Sequence, residues 1–204
     1  MIERPPSEVT LATAMEWFVR VVQDLQVEFL LAGRSALEQQ GESLGSVDID
    51  LALAAPDWKD LLYDLEEYEQ RGDLVAAGAV PKSVARYLVD GFVAVDLMNL
   101  TEIHPRLFPL LREQATAEVR LGRAGRVPAI SREGYFVLAV MAGKRGFSAV
   151  KADPMAKVRE AWVFIGARTD RQKVERLLGE LGEKAEVFEE ALRPPGGGTT
   201  IARR

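Results

Sequence analysis

Cysteine is absent from the 204-residue chain, and histidine occurs once. Without a thiol there is no disulfide, no thiolate nucleophile, no zinc ribbon, no iron–sulfur centre and no thioredoxin-type redox pair. The single histidine, His104, rules out a multi-histidine metal site within one chain, and any Ser-His-Asp triad would hang on it alone. It stands before Pro105, where a turn or helix start is expected, and reads as a surface or capping residue. Long apolar runs are also missing. None approaches the ~18 residues of a membrane span, and Met1-Ile2-Glu3-Arg4-Pro5-Pro6 contains no apolar signal region. The expectation is a soluble cytoplasmic protein with no membrane partner. A basic excess is lacking too, with 26 Lys and Arg against 31 Asp and Glu and a formal net charge of −5. That excludes a chain that grips nucleic acid through its overall charge. A local basic face stays open, because Lys144, Arg145, Lys151, Lys157, Arg159, Arg168, Arg171, Lys173 and Arg176 crowd one stretch. Catalysis, if there is any, must come from carboxylates, hydroxyls and basic side chains.

What is present is ordinary for a folded chain: 48% hydrophobic and 28% charged residues. The length supports one compact domain, or a domain with a small appendage. Ser7 can cap a helix in which Leu11, Ala14, Met15, Phe18, Val21, Val22 and Leu25 recur at helical spacing. Val27 to Ala32 reads as a buried strand, Arg34 to Gln40 as a short helix stopped by Gly41, and Val47 to Leu53 as a strand of strict alternation. Pro56-Asp57 opens an amphipathic helix through about Gln70, closed by Gly72. Val84 to Val89 and Phe92 to Met98 flank Asp90-Gly91, which predicts an antiparallel hairpin with a two-residue type I′ turn.

Further on, Pro105 to about Glu118 reads as a helix, and Val119 to Leu121 pairs with Val127 to Ile130 as a hairpin. Ser131 caps a helix to about Lys144. Asp153-Pro154 and Thr169-Asp170 start two more, the last running to about Leu192. The expected fold class is α+β, α/β-like: a mixed sheet flanked by helices in residues 1–130, a helical C-terminal part in 131–192, and a disordered tail in 193–204.

The chemistry gathers on the strands. Alternation puts Asp48 and Asp50 on one face of their strand, with Val47, Ile49, Leu51 and Leu53 on the other. Adjacent carboxylates repel and call for a compensating cation or proton. Asp96 is a third acid within an apolar strand, and convergence of the three would offer the hard oxygen ligands that Mg²⁺ or Mn²⁺ takes. Upstream, a strand ending at Ala32 runs through Gly33-Arg34-Ser35 into a helix, an arrangement that can cradle phosphate with backbone N–H groups and a hydroxyl. Plainer readings exist for the same residues. The three acids form an inert edge of a half-solvated sheet, Arg86 salt-bridges Asp96, Trp17, Trp58 and Trp162 are core or interface, and Leu65 to Glu69 is a solvated helix face.

The ordered set of strand, Gly33-Arg34-Ser35, short helix, Ser46-Val47-Asp48-Ile49-Asp50-Leu51 and a later Val95-Asp96-Leu97 resembles the nucleotidyltransferase superfamily with the DNA polymerase β-like fold. It is most similar to the small prokaryotic minimal nucleotidyltransferases and the AbiE-type toxins of toxin–antitoxin systems. Val127-Pro128-Ala129-Ile130-Ser131 leading to Leu138 through Arg145 looks like the helix entry of the bacterial members. Two positions depart from the pattern: Arg34 stands where a second glycine is common, and Leu44 where many members carry a basic residue.

The resemblance implies transfer of a nucleoside monophosphate from a nucleoside triphosphate, ATP among the candidates, to a hydroxyl of RNA, protein or a small molecule. Asp48 and Asp50 would bind two metals. Asp96 would bind the acceptor-side metal and take the acceptor's proton. Gly33 and Ser35 would hold the β- and γ-phosphates, with Arg34, Ser46 and Lys144 or Arg145 completing the nucleotide site. A cognate antitoxin is an implied partner. The alternative is a protein that keeps the fold as a catalytically silent binding or regulatory module.

Overall fold

The computed structural model describes residues 2–54, 58–77, 84–146 and 153–194. The expected helix start at Pro56-Asp57, Lys151 and residues 195–204 of the expected tail lie outside them. Contacts divide the chain into two units, residues 1–135 and 136–204.

The first unit is built on a seven-stranded sheet. In chain order its elements are α1 (Leu11–Asp24), β1 (Phe29–Ala32), α2 (Gly33–Glu38), β2 (Asp48–Leu53), α3 (Trp58–Gln70), β3 (Leu74–Ala76), β4 (Val84–Val89), β5 (Val93–Asn99), α4 (Leu100–Ile103), α5 (Leu107–Gln114), β6 (Thr116–Leu121) and β7 (Gly125–Ile130). Helix α6 (Arg132–Lys144) crosses the boundary, and α7 (Ala156–Ile165), α8 (Arg171–Glu180) and α9 (Val187–Leu192) complete the second unit. Strand order is β3-β4-β5-β2-β1-β7-β6, with β2/β5 and β1/β7 parallel and every other pair antiparallel. This is the mixed α+β sheet with flanking helices that the periodicities imply.

The core follows from the same alternation. Ile49, Leu51 and Leu53 of β2 and Val95 and Leu97 of β5 are fully buried on one face, and all four residues of β1 are buried. Helix α1 buries Met15, Trp17, Phe18, Val21 and Val22, and Trp17 closes on Tyr68 edge to face at 6.0 Å. Within the second unit Phe136, Trp162 and Phe188 form a cluster of edge-to-face rings 5.3 to 5.6 Å apart. Trp17 and Trp162 thus act as packing residues. Among the described residues no helix is long and apolar enough to cross a membrane.

Several local expectations are corrected. Thr10, not Ser7, caps α1, because Thr10 and Thr13 exchange hydrogen bonds in a capping box. The expected helix from Pro105 to Glu118 ends at Gln114, and Glu118 lies in β6, where pairing with β7 captures Thr116 onward. His104 Nδ1 accepts the Arg106 N–H at 3.2 Å in the link between α4 and α5. The last helix is two, interrupted at Gly182, whose φ of +82° ends α8. Strand β3 has no counterpart in the sequence reading, being three residues long. Much of the basic stretch is matched internally: Lys144 pairs with Glu183, Arg159 with Asp153, and Arg171 with Glu175.

The hairpin differs in the way that matters most for the site. Asp90 and Gly91 do take positive φ, 49° and 76°. The closing pair, however, is Val89 with Val93, so the loop has three residues and Phe92 stands outside the ladder, 79% exposed. A two-residue turn would have set Arg86 across from Val95. The extra residue sets Arg86 across from Asp96. Leu51→Ala is expected to cost about 2 to 5 kcal/mol in urea denaturation, whereas Phe92→Ser should change stability by less than about 0.5 kcal/mol. A large cost for Phe92→Ser would contradict this register.

Candidate functional site

One row across the sheet carries the site. Ala32 of β1 pairs with Asp50 of β2, Asp50 pairs with Asp96 of β5, and Asp96 pairs with Arg86 of β4. Asp48, two residues before Asp50, lies on the same face beside Ala94. Each of Asp48, Asp50 and Asp96 offers a carboxylate oxygen, and these three atoms lie within 4.8 Å of one another. At that separation each pair of charges repels by about 1 to 3 kcal/mol, depending on how much water screens it. Positive charge placed among them relieves that repulsion. The oxygen-only donor set suits a hard divalent cation such as Mg²⁺ or Mn²⁺.

A glycine makes room for it. Gly33 follows β1 directly and holds φ at +64°, and a Cβ placed on it would sit 1.8 Å from Asp50 Oδ2. The carboxylate therefore occupies the space that any other residue at position 33 would fill. This is a steric reason for Gly33 that its place in a phosphate-binding pattern does not convey.

The neighbouring predicted residues have visible local tasks. Ser35 is fully buried, and its hydroxyl donates to the Ala32 carbonyl at 3.1 Å, fixing the turn from β1 into α2. With that hydrogen committed, the hydroxyl is not placed to donate to a phosphate in this conformation. Ser46 donates its backbone N–H to Glu38 Oε1 at 2.7 Å and its hydroxyl to the Asp48 carbonyl at 2.9 Å, which steers the chain into β2. Arg34 reaches the Leu44 carbonyl at 3.4 Å across the same loop. Lys144, expected near the nucleotide, belongs to the second unit and is ion-paired with Glu183.

Arg86 is the residue the carboxylate motif did not foretell as part of the site. Its Nε and Nη2 donate to the two oxygens of Asp96, each at 2.5 Å, in a fork that engages the whole carboxylate. The Asp96 side chain is 13% exposed and that of Arg86 42%. Hydrogen bonding to Asp96, with the added fields of Asp96, Asp48 and Asp50, holds the guanidinium above its already high ordinary pKa. The salt bridge was expected. That the cation also answers to the other two carboxylates was not, and the signal for it was the Asp-Gly turn, once its true loop length is known.

No protein-family model and no curated protein matches the sequence. Solved structures do match. An antigenic nucleotidyltransferase-like protein from Paracoccidioides brasiliensis superposes with a TM-score of 0.50 at 14% identity, covering 89% of this chain and 91% of that one. ANT(2″)-Ia, crystallised with adenylyl-2″-tobramycin, superposes with a TM-score of 0.55 at 12% identity, covering 91% and 100%. The chain has the nucleotidyltransferase fold. The likeness extends over nearly the whole of both neighbours.

Replacing Gly33 by Ala should lower stability by about 2 kcal/mol or more, from a strained φ combined with expulsion of Asp50. Gly45 also has positive φ, 65°, but open space at its Cβ. Gly45→Ala should therefore cost only about 1 kcal/mol. Equal losses for the two variants in chemical denaturation would remove the steric link between Gly33 and Asp50.

Proposed function

We propose that this protein is a metal-dependent nucleotidyltransferase that moves a nucleoside monophosphate from a nucleoside triphosphate to an acceptor hydroxyl. The observation that supports this most is the convergence of Asp48, Asp50 and Asp96 within 4.8 Å beside a glycine that leaves room for Asp50. In the proposed reaction the acceptor oxygen attacks the α-phosphorus, the bond from that phosphorus to the bridging oxygen of the β-phosphate breaks, and pyrophosphate leaves. The acceptor's proton passes to the Asp96 carboxylate.

Asp48, Asp50 and Asp96 would hold the divalent metal, which when bound neutralises charge on the triphosphate and on the attacking oxygen. The backbone at Gly33 and Arg34 would lie against the phosphates, with Ser35 and Ser46 holding the two loops in place through their bonds to Ala32 and Asp48. In this reading the serines shape the site, and backbone N–H groups meet the nucleotide.

The acceptor belongs to one of two chemical classes, a macromolecular hydroxyl of RNA or a partner protein, or a small polyol. The second has support from the adenylylated aminoglycoside bound to ANT(2″)-Ia. A toxin role with a cognate antitoxin would be one setting for the first.

Incubation with α-³²P-labelled ATP, CTP, GTP or UTP, Mg²⁺ and candidate acceptors tests the reaction. Labelled product should form with one nucleotide and fall by about 10²-fold or more in Asp48→Asn and Asp50→Asn. If no nucleotide with Mg²⁺ raises the melting temperature, and Asp48→Asn changes nothing, the protein is a silent module of the same fold.

A further inference from the structure

Three carboxylates and one guanidinium make a cluster of net charge −2, the charge that one divalent cation cancels. Arg86 closes the side of this cluster that faces β4. It stands in register with Asp96 on the adjoining strand, grips both oxygens of the acid at 2.5 Å, and is itself more than half covered. Its charge therefore lies where the carboxylates most need one, and where a metal bound by Asp96 would find a like charge beside it. We propose that Arg86 is a resident counter-cation of the acidic cluster, one that stabilises the metal-free protein and competes with divalent metal for Asp96.

The proposal rests on the metal-binding reading of the cluster, and it adds a condition to it. Asp48 and Asp50 take a cation without disturbing Arg86, whereas Asp96 becomes a full ligand, and a free acceptor for a proton, only when the fork swings away. Asp48 and Asp50 would hold a first metal while the fork stays closed, and engagement of Asp96 would wait for an event that offers the guanidinium another anion. A triphosphate provides one, since a guanidinium exchanges carboxylate for phosphate oxygens with little change in geometry. No third partner is needed, and no bond beyond hydrogen bonds and ion pairs changes.

Two measurements without nucleotide or turnover test this: melting temperature in EDTA and in rising Mn²⁺, and Mn²⁺ affinity from the electron paramagnetic resonance signal of the free ion. Arg86→Gln should melt lower than the wild type in EDTA, recover with Mn²⁺, and bind Mn²⁺ about tenfold more tightly, the effect of removing one positive charge from beside a divalent ion in a well-screened site. Arg86→Gln combined with Asp96→Asn restores the net charge of −2 and should regain most of the EDTA stability.

Arg86→Lys keeps the charge without the fork and should fall between wild type and Arg86→Gln, which leaves the test intact if the glutamine variant folds poorly. Unchanged or weaker Mn²⁺ binding in Arg86→Gln and Arg86→Lys, with the wild type binding Mn²⁺, overturns the counter-cation role and leaves the metal site standing. A loss in EDTA that Mn²⁺ does not recover makes Arg86 a plain structural residue and overturns it equally. No Mn²⁺ binding by any variant, Asp48→Asn behaving as wild type, removes the metal reading itself and this inference with it.

Discussion

The parallel pairing of β2 with β5 is the constraint on which this structure depends. It opposes Asp50 and Asp96 directly, a like-charge pair in the interior strands of a sheet, in a register that keeps Ile49, Leu51, Val95 and Leu97 together on the buried face. Burial of the apolar residues and crowding of the acids are thus one event. A slip by one residue would relieve the repulsion and expose the core, and the apolar burial at stake outweighs the few kcal/mol of repulsion.

The rest of the first unit answers that repulsion. β1 brings Ala32 beside Asp50 and then turns at Gly33, so that nothing bulky presses on the carboxylate. β4 brings Arg86 to the far side of Asp96. Small residue, acid, acid, base is the order across four strands, which makes the face asymmetric, with a glycine turn after β1 on one side and a cation toward β4 on the other.

Much of this was legible in the linear chain. Alternation across Val47 to Leu53 placed the two acids on one face, and the same parity placed Asp96 with them once the strands are neighbours. The elements lost were those without a periodic signal of their own: β3, three residues held by β4, and the end of α5, where helical spacing continues into residues that β7 recruits for the sheet. Ser35 and Ser46 illustrate a different limit. The resemblance implies that both belong to the nucleotide site, while the structure adds that each donates its hydroxyl to a backbone carbonyl close at hand, as hydroxyls near chain reversals do.

The sequence by itself determined which residues are acidic, which faces are apolar and where the chain must turn, because these follow from side-chain chemistry and from periods of 2 and 3.6 that need no partner. Only the tertiary structure decided the strand order that makes β2 and β5 parallel neighbours, the three-residue loop at Asp90 to Phe92, and with it the seat of Arg86 opposite Asp96. Those are relations between segments distant in sequence. Their energies come from pairing and burial that exist only once the sheet is assembled, so no local pattern can encode them.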